Sequence, residues 1–323
     1  MKPELFKEAS GFEYRGILKS NCTLGSRSWL GVGGNANWLY QPADLDDLAE
    51  FIRNINNHIS YFVLGAGSNL IIRDGGYRGL VIRLGREFSH IDCDNNQVTA
   101  GAFAKDSQIA INAAQSGIDL TFLRTIPGTI GGAVKMNAGC YGSYLADHLV
   151  RVGIITRNGD LKYLARDELE FSYRSSGIED DAIIVEVVLN GESGNPDRLM
   201  ERIESYLDKR NRTQPTGLKT AGSTFRNPVG YSSTFDQDDD TELLAWKLID
   251  KAGMRGMRKG DAQVSEKHPN FLLNLGNATA SQIENLGEMV RRVVYQQSGT
   301  ILEWEVKRIG ELVHPKIHEG HHG

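Results

Sequence analysis

Apolar residues recur at helical spacing at Leu45, Leu48, Phe51, Ile52 and Ile55, behind a possible cap at Asp44. That pattern predicts a helix over residues 44–55. Shorter apolar runs predict strands at 61–64, 70–72 and 79–84, the last two on either side of the turn Asp74-Gly-Gly76. A strand at 98–102 precedes a helix at 105–115, with Ile109 and Ala113 on one face and a stop at Gly117. Residues 150–156 and 161–164 flank Asn158-Gly159 and so predict a hairpin. A β-branched run predicts a strand at 182–189. Amphipathic patterns predict helices at 196–211, 241–252 and 280–297, and a final strand at 302–309. Thr213 to Gly222 reads as a linker. Helices and strands do not alternate strictly, so the fold class is α+β and not a doubly wound sheet.

The chain has 323 residues, a formal charge of −5 and 36 glycines. This length suits two or three domains. The acidic balance disfavours a nucleic-acid partner. No apolar stretch is long enough to span a bilayer, and the N-terminus shows no secretory signal. Cys22, Cys93 and Cys140 are dispersed, which argues against a disulfide framework and a zinc site and points to a reducing cytoplasm. His314, His318, His321 and His322 read as a polar terminus, with no metal site expected.

The candidate chemistry begins with the glycines. Gly65-Ala66-Gly67-Ser68-Asn69-Leu70 follows a strand, and glycines there let a backbone approach a phosphate. It is not a dinucleotide fingerprint of the doubly wound kind. Position 70 is Leu, and the next segment reads as strand instead of helix. A second run, Ile126-Pro127-Gly128-Thr129-Ile-Gly131-Gly132-Ala133, is followed by Asn137-Ala-Gly139. It is too broken for a regular helix of any length. Two such loops close together favour a cradle round one flat ligand, and a dinucleotide with two phosphates would use both. Cys140, in the same run, reads as a small packing residue. Taken singly, Tyr173-Arg174, Ser223, His268 and the pair Glu303 and Glu305 admit bland readings as surface, loop or strand-face residues.

In this order the segments resemble the UDP-N-acetylenolpyruvoylglucosamine reductase family (MurB). The resemblance runs from about Leu24 to Gly310 and rests on several motifs. Gly31-Val-Gly-Gly-Asn-Ala36, both glycine loops, Asn137-Ala-Gly139 and Tyr173-Arg174 carry its first half. Gly222-Ser-Thr-Phe-Arg-Asn-Pro228, Val264-Ser-Glu-Lys-His268 with Asn270-Phe271, and Leu302-Glu-Trp-Glu-Val306 carry the second. It implies a two-part FAD-binding region of the vanillyl-alcohol-oxidase type, residues 1–88 and 89–213, and a substrate-binding domain, residues 214–310. Residues 311–323 would return to the first part.

The implied activity is NADPH-dependent reduction of the enolpyruvyl ether of UDP-N-acetylglucosamine to UDP-N-acetylmuramate, with FAD bound and NADPH as co-substrate. The implied catalytic residues are Arg174 for the enolate-like charge, Ser223 as proton donor and Glu305 as a protonated carboxyl. Glu303 would be structural. The implied FAD contacts are Gly65–Leu70, Ile126–Thr129, Gly131–Ala133, Asn137 and Gly139. The implied substrate contacts are Tyr141, Tyr173, Asn227, Gln263, His268 and Asn270. The stretch between Arg174 and Ser223 is too short for the tyrosine-lid insertion of some members, so the chain resembles the shorter subclass. Where many relatives carry a lysine this one has Thr213, leaving Arg210, Arg212 or Arg226 to supply the charge. A cytoplasmic monomer or weak oligomer is expected. Two other readings stay open: an FAD-dependent sugar or alcohol oxidase of the same fold, and a non-catalytic nucleotide-sugar binding protein.

Overall fold

The computed structural model describes residues 5–6, 12–231 and 241–313. The histidines at 314, 318, 321 and 322 lie outside the described residues. Helices α1 (Leu45–Asn54), α2 (Asp106–Gln115), α3 (Ile130–Lys135) and α4 (Leu145–His148) precede α5 (Pro196–Thr213), α6 (Ala245–Lys251) and α7 (Ala280–Ser298). Asp44 caps α1 as its sequence predicts, accepting a bond from the Asp47 N–H at 3.0 Å.

Among the described residues, three sheets of four or five strands organise the fold. The first orders Ile17–Thr23, Asn35–Gln41, Tyr77–Ile82 and Tyr61–Val63, with the last two joined in parallel. The second is antiparallel and orders Leu161–Ala165, Leu149–Ile155, Ile183–Asn190, Gln97–Gly101 and Ile91–Asp94. The predicted hairpin around Asn158-Gly159 is its edge pair. The third, also antiparallel, orders Lys219–Ser223, Phe271–Asn274, Ala262–Val264 and Arg258–Lys259. Sheets of mostly antiparallel strands with helices packed on them make the fold α+β, as expected.

Several boundaries differ from the sequence reading, each for a tertiary reason. Leu70–Ile72 does not pair with Tyr77–Ile82 across the glycine turn. It pairs in parallel with Lys307–Ile309. The final strand is confined to those three residues, because the Glu305 and Val306 N–H groups both turn to the Thr224 carbonyl and interrupt the ladder. The linker shrinks to residues 214–218, since Lys219–Ser223 is a strand. Helix α6 starts at Ala245, where the Asn227 side chain accepts the Ala245 N–H at 3.1 Å. The second glycine run does contain one short helix, α3.

Three hydrophobic clusters result among the described residues. The largest joins α1 and α2 to the second sheet and includes Phe51, Val98, Ile109 and Val187. Another lies under α6 and α7, with Ala245, Ile249, Ile283, Leu286 and Val290. A small one, with Leu64, Leu70 and Ile72, underlies the first glycine loop. Arg73 and Glu284, 2.9 Å apart, and Asp74, which accepts the first two N–H groups of α7 at 2.9 Å, lock the C-terminal unit to the loop region.

Candidate active site

A cleft of about 620 Å³, within the ordinary range for ligand sites, runs between the glycine loops and the third sheet. Its walls include Gly65–Leu70, Ile126–Thr129, Gly131–Ala133, Gly139, Tyr173, Arg174, Ser223, Asn227, His268, Asn270 and Glu305. The two glycine loops are tied together, since the Ser68 hydroxyl donates to the Pro127 carbonyl at 2.7 Å. Loop one is also tied to the glutamate segment: the Lys307 N–H donates to the Asn69 carbonyl at 3.1 Å.

Glycine is required here for space. A Cβ on Gly131 would sit 2.9 Å from Ala102 Cβ, so this residue packs against the second sheet. A Cβ on Gly132 would meet only Thr129 Oγ1, at 3.7 Å, and so would point into open cleft. That open cradle fits a ligand backbone lying against the loop. Gly132→Val should therefore leave the fold intact and abolish retention of a bound dinucleotide, read as the flavin absorbance of the purified protein.

Arg174 stands at the tip of a tight turn closed by reciprocal bonds between the backbones of Ser172 and Ser175, at 3.0 and 3.1 Å. Its φ of +61° is a strained conformation for a side-chain-bearing residue. Asn137 holds the turn. Its amide donates to the Ser172 carbonyl at 3.0 Å and its oxygen accepts the Ala146 N–H at 3.1 Å. Arg174 Nε donates to Glu305 Oε1 at 2.8 Å, and both side chains are only 12% exposed. Burial pushes the Glu305 carboxyl upward from the usual carboxylate range, and Arg174 opposes that push without cancelling it.

Ser223 ends its strand after Gly222, whose φ of +78° marks an irregularity in the pairing with Phe271. The next residues are clamped from both sides. Asn270 accepts the Phe225 N–H and donates to the Phe225 carbonyl, each at 2.9 Å. On the other side Glu305 N–H donates to Thr224 at 2.9 Å and Arg226 N–H to Glu303 at 2.8 Å. Three distant stretches thus converge through backbone bonds. Glu303 is exposed, and its carbonyl accepts the Arg226 N–H.

Not every expected residue reaches the wall. Asn137, Tyr141 and Gln263 are absent from the cleft lining. Tyr141 stacks on Tyr206 at 4.4 Å, and Gln263 donates to the Gly256 carbonyl and to Glu266. His268 does line the cleft. Burial drives its pKa down to about 4, so it is neutral and unsuited to act as a base that gains charge. The cleft also contains residues that no motif marked: Thr125, Lys135, Gln214, Trp246 and Lys307. Cys140 lines it too, with a thiol pushed up by burial and therefore unreactive. Of the three candidate cations at the missing lysine, Arg210 lines the main cleft, whereas Arg212 pairs with Asp208 at 2.6 Å on the surface.

Behind the second loop lies Asp106, wholly buried, with neither carboxylate oxygen bonded. Its N–H donates to the Gly128 carbonyl at 3.4 Å. Desolvation raises its pKa well above the ordinary value, so the folded state holds the proton more tightly than the unfolded chain. Stability is then lost as pH rises from the unfolded carboxylate range, about 4, through the raised folded pKa. Asp106→Asn should melt higher than wild type at pH 8, and the two melting temperatures should converge toward pH 4. Equal melting curves at pH 8 would refute this account of Asp106.

Comparison with known proteins first fixes the class. Residues 36–164 match the profile of an FAD binding domain, so the glycine-lined cleft belongs to an FAD-binding protein. Residues 214–309 match the C-terminal domain of UDP-N-acetylenolpyruvoylglucosamine reductase. The chain is 56% identical to the reductase of that name from Paracoccus denitrificans, over 92% of this chain and 97% of the relative. It is 55% identical to the one from Ruegeria pomeroyi, over 92% and 96%. The crystal structure of the reductase (MurB) from Thermus caldophilus aligns with a TM-score of 0.76 at 32% identity, covering 92% of this chain and all of that one. The chain belongs to the UDP-N-acetylenolpyruvoylglucosamine reductase family.

Proposed function

We propose that the protein is an NADPH-dependent flavoenzyme that reduces the enolpyruvyl ether of UDP-N-acetylglucosamine to UDP-N-acetylmuramate, a step of peptidoglycan precursor synthesis in a bacterial cytoplasm. Among the described residues no helix is long and apolar enough to cross a membrane. The observation that carries the assignment is that Arg174, Ser223 and Glu305 line the same cleft as the two glycine loops. Bound FAD supplies hydride relay between the nicotinamide and the substrate vinyl carbon. Gly65–Asn69 and Pro127–Gly132 would hold it, and the open face of Gly132 fits that role.

The remaining steps belong to the side chains. Hydride addition at the terminal vinyl carbon leaves negative charge on the adjacent carbon and its carboxylate. Arg174 stabilises that charge through a planar, permanently cationic fork. In the free enzyme this fork is engaged by Glu305. As the substrate carboxylate takes the guanidinium, Glu305 is left buried without its counter-ion and takes up a proton. It then faces the enolate as a hydrogen-bond donor and not as a second negative charge. Ser223 delivers the proton to carbon through its hydroxyl, and the oxygen regains a proton from solvent water entering the cleft. Tyr173, whose phenol is pushed up to about 12 by burial, stays neutral; it accepts the Asn227 N–H at 3.4 Å and so links the arginine turn to the substrate wall.

We infer a three-part division, residues 1–88, 89–213 and 214–310. The cluster beneath α6 and α7 is built mainly from residues after 220, joined by Leu30, Val32 and Ile71 of the first part, and supports the boundary near 213. The largest cluster contains residues of both earlier parts, so these act as one cofactor-binding body.

The test is a spectrum followed by turnover. The purified protein should show an oxidised-flavin band near about 450 nm. NADPH consumption should depend on added UDP-N-acetylglucosamine enolpyruvate and yield UDP-N-acetylmuramate by mass. A colourless protein, or NADPH oxidation that needs only oxygen, would overturn the reading.

A further inference from the structure

Trp246 lies on the cleft wall, and none of the roles above uses it. It sits in the first turn of α6, next to Ala245, whose N–H is held by Asn227. The helix buries Ala245 and Ile249 in the C-terminal cluster, with Leu248 packed against it. Trp246 is outside that cluster and only half-buried. Its ring lies 6.2 Å from His268 at 59°, a tilted contact. Lys247 Nζ stands 5.8 Å from the ring centroid, at the end of a flexible stem.

An indole kept out of the core and lining the cleft offers a large rigid apolar face beside a few polar groups. Here those groups are Asn227, Asn270 and the neutral His268, together with the Lys247 ammonium next to the ring. That combination recognises a planar heteroaromatic base joined to a diphosphate: the ring stacks and the ammonium meets the phosphate charge. Both nucleotides of the proposed reaction carry this chemistry. We propose that Trp246 is the stacking platform for the base of a nucleotide substrate, either the uracil of the UDP-sugar or a base of NADPH. The identity of these nucleotides rests on the function proposed above.

Titration calorimetry on the FAD-loaded wild type, Trp246→Ala and Trp246→Phe, with UDP and NADP⁺ as separate probes, decides it without turnover. Stacking predicts that one probe binds about tenfold more weakly to Trp246→Ala, with most of the affinity restored in Trp246→Phe. Loss confined to UDP assigns the uracil, and loss confined to NADP⁺ assigns the dinucleotide. Melting temperatures should stay level, because Trp246 is outside the hydrophobic cluster. Unchanged affinity for both probes, or a phenylalanine variant as weak as the alanine one, overturns the proposal. Wild-type turnover of the enolpyruvyl substrate alongside unchanged affinities would remove the platform and leave the proposed reaction standing.

Discussion

Ser223→Ala should leave flavin reduction by NADPH at its wild-type rate and slow reduction of the enol ether by about 10²–10⁴-fold. The substitution removes one hydroxyl and little else. Ser223 Oγ makes no hydrogen bond among the described residues, while the backbone at 223–225 is held by Phe271, Asn270 and Glu305. The strand should keep its register when the oxygen goes. The two half-reactions should then separate, because hydride transfer from NADPH requires no proton from Ser223. Stopped-flow absorbance reads both phases in one preparation. Equal rates in both phases would take the proton-donor role away from this residue.

Arg174→Lys should cost about 10²–10³-fold in the same second half-reaction, comparable with removing a donor from an oxyanion site. The charge survives, so electrostatic attraction alone cannot account for the loss. What goes is the fixed fork that a guanidinium aims at a carboxylate. The turn itself should persist, since Asn137 and the Ser172–Ser175 bonds hold the backbone independently of the side chain. A lysine variant with near wild-type reoxidation by substrate would contradict the bidentate role. Arg174 also neutralises Glu305, so a methionine variant would leave that carboxyl buried and protonated, and its flavin-reduction phase serves as the control for folding.

Local chemistry was legible in the sequence where a residue acts on its own neighbourhood. Asp44 caps α1 three residues ahead, and Asn158-Gly159 closes a hairpin, because both are short-range backbone effects. The glycine loops were legible as a cradle for the same reason: missing side chains are visible in a sequence. Partners far apart in the chain were not. Leu70–Ile72 finds Lys307–Ile309, and nothing in either tripeptide specifies the other. Asn137 and Tyr141 lie inside a matching motif, yet the structure uses Asn137 to support the arginine turn and engages Tyr141 with Tyr206. A motif records that a residue matters to the site and not whether it touches ligand. Trp246 carries no local pattern at all, and nothing local sets Arg210 apart from Arg212 or Arg226. Trp246 and Arg210 each enter the cleft only because their helices are docked there.

In the proposed mechanism one guanidinium, one hydroxyl and one carboxyl act together on the enolpyruvyl substrate. The most direct measurement is an anaerobic single turnover: NADPH is added to bleach the flavin, the excess is removed, and UDP-N-acetylglucosamine enolpyruvate is mixed in. The account predicts immediate return of the oxidised band with one equivalent of UDP-N-acetylmuramate per flavin. A band that stays bleached until oxygen is admitted would contradict it.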